Sequence, residues 1–159
     1  MSDLRVGIGY DAHALDEGVA LVLGGVTIDY PRGLAGHSDG DVITHALIDA
    51  ILGAANLGDI GSLFPSADEQ YRGASSLDLL WEAYREVREV GWELVNADCV
   101  FVGEEPRIGD VRDEMCQRLA STLGIEPGRI TVRATTTDRL GFTGRGEGLA
   151  AQAVALLQR

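Results

Sequence analysis

The segment from Leu34 to Gly53 constrains the fold more than any other part of the chain. From Val42 onward, Ile43, Ala46, Leu47, Ala50, Ile51 and Ala54 recur at helical spacing. Asp41, His45 and Asp49 fall at i, i+4 and i+8, on one stripe flanked by Ile48 and Leu52. A helix that is apolar almost all round belongs inside a protein. The sequence therefore predicts a buried central helix, with Ser38 as N-cap and Asp41 in the capping-box position. Ionisable groups on such a helix need partners, because an unpaired buried charge is costly. His45 is then either a core histidine held by Asp41 and Asp49 or part of a functional site. His37 and Ser38, beside the expected free N–H groups of the helix start, favour a site that takes an anion.

The remaining periodicities supply the layers around that helix. Leu4, Val6, Ile8 and Tyr10 alternate with Arg5, Gly7, Gly9 and Asp11, a strand pattern. It runs into Asp11-Ala12-His13, where the two ionisable side chains share a side. Leu21–Leu23 and Val26–Ile28 flank Gly24-Gly25, a hairpin signal. Residues 56–68 are punctuated by glycine and predict an irregular loop. Ser75 opens a second helix with Leu77, Leu80, Trp81, Tyr84 and Val87 as its buried face. Trp92 to Val102 reads as a long strand with Val95, Ala97, Cys99 and Phe101 on one apolar face. Val111, Met115, Leu119 and Leu123 mark a helix stopped by Gly124, and Ile130, Val132 and Ala134 a strand. Leu149–Leu157, rich in alanine and leucine, favours helix by propensity. Such an order suggests a single α/β or α+β domain over residues 1–159.

A net charge of −12 argues against a nucleic-acid surface. It leaves room for a small anionic ligand, since metals and backbone N–H groups supply local positive potential. The 21 glycines are roughly twice the usual ~7% share and suggest close backbone approaches. Cys99 and Cys116 lack zinc-finger spacing and read as buried free thiols. No signal-peptide pattern follows Met1, and no apolar run reaches membrane-spanning length. The expectation is a cytoplasmic protein with neither membrane nor nucleic acid as partner. Asp11, His13 and His45 offer two imidazoles and a carboxylate, a set suited to zinc with an open fourth position.

Four stretches carry a resemblance. Gly9–His13, His37–Val42 with His45 and Asp49, Leu57–Gly61 with Phe64-Pro65, and Ala134–Gly148 closely resemble, in order, the 2-C-methyl-D-erythritol 2,4-cyclodiphosphate synthase family. The resemblance spans essentially the whole chain. It implies an α+β fold, a sheet packed on one face by helices in a ferredoxin-like or chorismate-mutase-like layer, with the final segment as strand. It also implies a homotrimer with active sites between subunits. The implied reaction converts 4-diphosphocytidyl-2-C-methyl-D-erythritol 2-phosphate into the cyclic diphosphate and CMP. By resemblance, Asp11, His13 and His45 hold one zinc per subunit, His37 and Thr136 stabilise the transition state, and Asp138 binds Mg²⁺ or Mn²⁺ with substrate. Substrate contacts are implied for Asp11, His13, His37, Ser38, Asp59, Ile60, Gly61, Phe64, Pro65, Ser66, Ala67 and Asp68. Further contacts are implied for Gly103, Pro106, Arg107, Thr135, Thr136, Thr137, Asp138, Phe142 and Arg145.

Three positions depart from the family's usual pattern. Ser66 stands where many members have an acid, Asp138 where Glu is common, and Arg107 where Lys is usual, which changes donor geometry at constant charge. None of these touches the zinc triad. From helical spacing, Asp41 or Asp49 is the expected orienting partner of His45. The rival readings are a zinc phosphohydrolase acting on nucleotides and a non-catalytic metal- or nucleotide-binding module. The latter would close its zinc with a fourth ligand, often a cysteine.

Overall fold

A computed structural model describes residues 1–159 and gives the element order β1 (Leu4–Glu17), β2 (Leu21–Leu23), β3 (Val26–Ile28), β4 (Arg32–Leu34), α1 (Val42–Ala55) and α2 (Ile60–Leu63). There follow α3 (Ser76–Glu89), β5 (Glu93–Val102), α4 (Arg112–Leu123), β6 (Ile130–Thr135), α5 (Gly141–Gly144) and β7 (Gly148–Gln158). Five strands form one mixed sheet in the order β4-β1-β7-β5-β6, and β2 pairs with β3 as a separate hairpin. Only β5 and β6 run parallel; β1, β7 and β5 are antiparallel neighbours. The fold is α+β, with α1 laid on β1, β7 and β5 and packed in turn against α3. No helix is long and apolar enough to cross a membrane.

Small residues set the distance between helix and sheet. A Cβ on Gly9 would collide with the Ala46 carbonyl oxygen, and one on Gly7 with that of Ala50. Only glycine on the strand and alanine on the helix allow so close an approach. Ala151, Ala153 and Ala155 of β7 continue the same low surface beneath α1 and are buried. That arrangement overrides the helical propensity of the last segment, which is the central strand. Around it, one cluster of 37 buried residues forms the core.

The structure corrects several sequence expectations. Asp41, not Ser38, is the N-cap of α1, and its side chain accepts from Thr44 N. The alternating Leu4, Val6, Ile8 and Tyr10 do not enter the core. They lie on the sheet face away from α1, 57–70% exposed, with Val154 beside them. Trp81 is likewise exposed on α3, where Leu79, Leu80, Ala83, Tyr84 and Val87 are the buried side chains. Ser75 is the N-cap of that helix but makes no side-chain cap bond. A bulge between Leu94 and Asn96 puts Leu94 in the core and leaves Val95 only partly covered. Residues 56–68 contain the short helix α2, opened by an Asp59–Ser62 capping box. Cys99 is buried as expected, whereas Cys116 is only partly so.

Candidate active site

The chemistry lies two to four positions along β1 from the helix–strand contact. On β1, Gly7, Gly9, Asp11 and His13 share the face toward α1, because side chains alternate along a strand. Gly9 receives Ala46, so the adjacent His45 arrives at Asp11 and His13, two and four residues further along the strand. One ligand atom from each of the three residues lies within 4.8 Å of the others. His13 Nε2 stands 2.8 Å and His45 Nδ1 3.1 Å from Asp11 Oδ2. The two rings meet edge to face with centroids 5.5 Å apart.

Hydrogen bonds fix which atoms face inward. His13 Nδ1 donates to the Ala35 carbonyl at 2.8 Å, leaving Nε2 as the inward atom. That buried Nε2 is near Asp11 but not aligned for a hydrogen bond, and it has no hydrogen-bond partner. The Asp11 carboxylate beside it raises the His13 pKa against the opposing effect of burial. Burial pushes Asp11 up, but the two neighbouring histidines outweigh it and hold its carboxyl below the usual value. A lone pair, a carboxylate and a second imidazole aimed at one point are the donor set of a divalent metal. The residues therefore fit a divalent metal ion.

The partners of His45 differ from those expected. Its Nε2 lies 2.7 Å from Ser76 Oγ and 3.0 Å from Ser38 Oγ. Asp41 turns away from it. One carboxylate oxygen accepts from Gly24 N and Thr44 N, the other from Gly25 N and the Thr44 hydroxyl. It thereby ties the β2–β3 turn to the start of α1, and burial raises its pKa while those bonds pull the other way. At the helix N-terminus the chain's own Asp41 carboxylate thus takes the Thr44 N–H. Asp49 accepts from Ile60 N at 2.7 Å and anchors α2. Burial raises its pKa as well.

A cavity of about 430 Å³ opens beside the triad. His37, Ser38, Ile60, Gly61, Phe64, Pro65, Ser66 and Ala67 line it. Asp59 caps α2 outside it, and the Asp68 carbonyl accepts from His37 Nε2 at 3.1 Å, which aims that ring. Tyr71 and Leu79 also line the cavity and were not foreseen. Tyr71 meets Phe64 edge to face, with centroids 5.2 Å apart.

Gly103, Pro106, Arg107, Thr135, Thr136, Thr137, Asp138, Phe142 and Arg145 do not line that cavity. They gather where β5 and β6 end, with Gly103 N donating to the Thr135 carbonyl. Thr137 donates to the Leu140 carbonyl at 2.6 Å, Arg145 pairs with Glu147 at 2.7 Å, and Asp138 is exposed at a φ of 53°. A wider groove of about 800 Å³ between α3 and α4 holds Arg85 and Arg88 among Asp78 and Glu89, with no convergent ligand set.

The sequence model of the YgbB family matches residues 4–158. The 2-C-methyl-D-erythritol 2,4-cyclodiphosphate synthase of Moorella thermoacetica is 57% identical over 97% of this chain and 94% of its own length. That of Rubrobacter xylanophilus is 57% identical over 100% and 98%. A solved structure of 2C-methyl-D-erythritol-2,4-cyclodiphosphate synthase with CDP bound superposes with a TM-score of 0.88 at 39% identity, covering 96% of this chain and 99% of that one. The bifunctional IspDF of Campylobacter jejuni gives a TM-score of 0.96 at 45% identity over 99% of this chain and 43% of the longer one. With sequence and fold matched end to end around one Asp-His-His cluster, the chain belongs to the YgbB family.

Proposed function

We propose that the chain converts 4-diphosphocytidyl-2-C-methyl-D-erythritol 2-phosphate into 2-C-methyl-D-erythritol 2,4-cyclodiphosphate and CMP. One observation carries this reading: the Asp11, His13 and His45 ligand atoms converge beside a cavity in a chain 57% identical to synthases of that name. A bond forms between an oxygen of the substrate's 2-phosphate and the β-phosphorus, and the β-phosphorus bond to the bridging oxygen of CMP breaks. The attacking phosphate is already anionic, so no strong general base is needed. Holding a self-repelling chain in the ring-closing geometry contributes roughly 7–11 kcal/mol in favourable cases.

Zinc held by Asp11, His13 and His45 supplies Lewis-acid polarisation of a phosphoryl oxygen. Ser38 offers a hydroxyl donor at the cavity wall beside the His37 ring, and Phe64, Pro65 and Ile60 exclude water from it. Thr136 and its neighbours add hydroxyls where charge accumulates, and Asp138 is the chain's ligand for Mg²⁺ or Mn²⁺ at the diphosphate. Gly103–Arg107 is the cytidine-binding segment, supported by the solved relative that binds CDP. Because these residues do not line the triad cavity, we read the site as completed by a second copy in a homotrimer. The uncovered Leu4, Val6, Ile8, Tyr10 and Val154 face supports that assembly. Phosphorus NMR of the protein with the cytidyl substrate tests the reading. A cyclic diphosphate with CMP is expected; a water-derived monophosphate would instead make the chain a phosphohydrolase.

A further inference from the structure

The geometry points to Ser76, clamped by Asp39, as the residue that aims His45 at the metal position and so frees Ser38 to donate into the cavity. This rests on reading Asp11, His13 and His45 as a metal site. Asp39 Oδ2 accepts from Ser76 N at 3.0 Å. Its Oδ1 accepts from Asp41 N at 3.1 Å and from the Ser76 hydroxyl in a very short bond. An ionised carboxylate only accepts, so the Ser76 proton points at Asp39 and the oxygen lone pairs are left for His45. His45 Nε2, 2.7 Å away, must then be the donor. A neutral imidazole protonated at Nε2 carries its lone pair on Nδ1, the atom that faces Asp11 and His13. The direction of the chain Asp39–Ser76–His45 thus selects the metal-binding tautomer.

The two serines at Nε2 are not equivalent. Ser76 is fully buried at the first turn of α3, where water cannot replace it, while Ser38 is half-buried on the cavity wall. Ser38 Oγ, 3.0 Å from Nε2, shares the His45 proton as a second acceptor, and its own hydrogen has no acceptor within the chain. That hydrogen is available to an anionic oxygen in the cavity. Ser76 and Asp39 are therefore positioning residues, and Ser38 is the one of the three that reaches ligand.

Zinc competition titration against a chelator, with proton NMR of the His45 ring N–H in the zinc-loaded protein, tests the assignment. Ser76→Ala is expected to weaken zinc binding about 10–100-fold, the range for an outer partner of a metal-bound histidine. It should also strip the His45 N–H resonance of its protection from exchange, and Ser76→Thr should restore both. Ser38→Ala should keep zinc affinity within about twofold, well inside the loss that an outer partner causes, yet lose turnover. Wild-type zinc affinity and an unmoved resonance in Ser76→Ala overturn the inference, as does transfer of both losses to Ser38→Ala. A rapidly exchanging His45 N–H in the unaltered protein overturns it without any variant. Failure of the unaltered protein to bind zinc fells the metal-site reading itself, and this inference with it.

Discussion

A neutral His13 sets the lone pair of Nε2 against the Asp11 carboxylate, an arrangement that is favourable only with a proton or a metal ion between them. His45 closes the same space from the helix side, so removing it leaves two ligands where three are needed. His45→Ala is expected to lose zinc and to lower turnover more than about 100-fold, beyond what loss of an outer partner causes. Metal analysis showing full zinc in that variant would sink the assignment. Asp138→Asn keeps shape but removes charge, so zinc should stay while turnover falls at least about 100-fold, reflecting several kcal/mol of lost charge stabilisation. A Mg²⁺ or Mn²⁺ titration separates this from a turn role: unchanged divalent dependence leaves Asp138 only as a turn residue. The shared side of Asp11 and His13 was legible from their i, i+2 spacing on a strand, but that His45 joins them came only from the family resemblance, since its own helical stripe groups it with Asp41 and Asp49. The clamp on His45 was not legible, because Ser76 follows another serine at a helix start and nothing in the sequence joins it to a histidine 31 positions earlier.

The contact between α1 and β1 sets the register of the site. Gly9 meets the helix backbone itself, which cannot swing aside as a flexible side chain does. Gly9→Ala should therefore cost about 3 kcal/mol, the upper part of the overpacking range, and lower zinc affinity in the fraction that folds. Urea unfolding of the metal-free protein checks it; a loss under about 1 kcal/mol would mean that the helix yields freely. Periodicity located α1, α3, β5, α4 and β6, since each repeats over enough residues to declare its period. It failed where one local pattern serves two partners. The β1 alternation marks a strand correctly, but its apolar members face away from the core, and the glycines between them carry the packing. The alanines of β7 suit a helix in isolation, yet their small size is what a central strand under a close helix requires. The β5 bulge left no mark in the sequence.

Across the whole molecule, the exposed apolar sheet face of Leu4, Val6, Ile8, Tyr10 and Val154 is what the proposed homotrimer would cover. Light scattering is expected to give a trimer at working concentrations, and a fully active monomer would refute the shared site. The buried core also sets an alkaline limit. Burial pushes the Cys99 thiol from 9.0 up to about 12. Its contribution is fully present below pH 9 and is lost as pH rises toward 12, by at most about 1.4 kcal/mol per pH unit. Cys99→Ala should flatten that decline in urea midpoints between pH 8 and 10.5; equal slopes in both proteins would assign it to other groups. The chain's two ends lie side by side: Asp3 and Arg159 exchange both backbone hydrogen bonds, continuing the β1–β7 ladder. These two residues thus close one end of the pair of strands that carries the helix contact. A covalent link between Asp3 and Arg159 would bridge only neighbouring strands and would leave the triad held by β1 and α1.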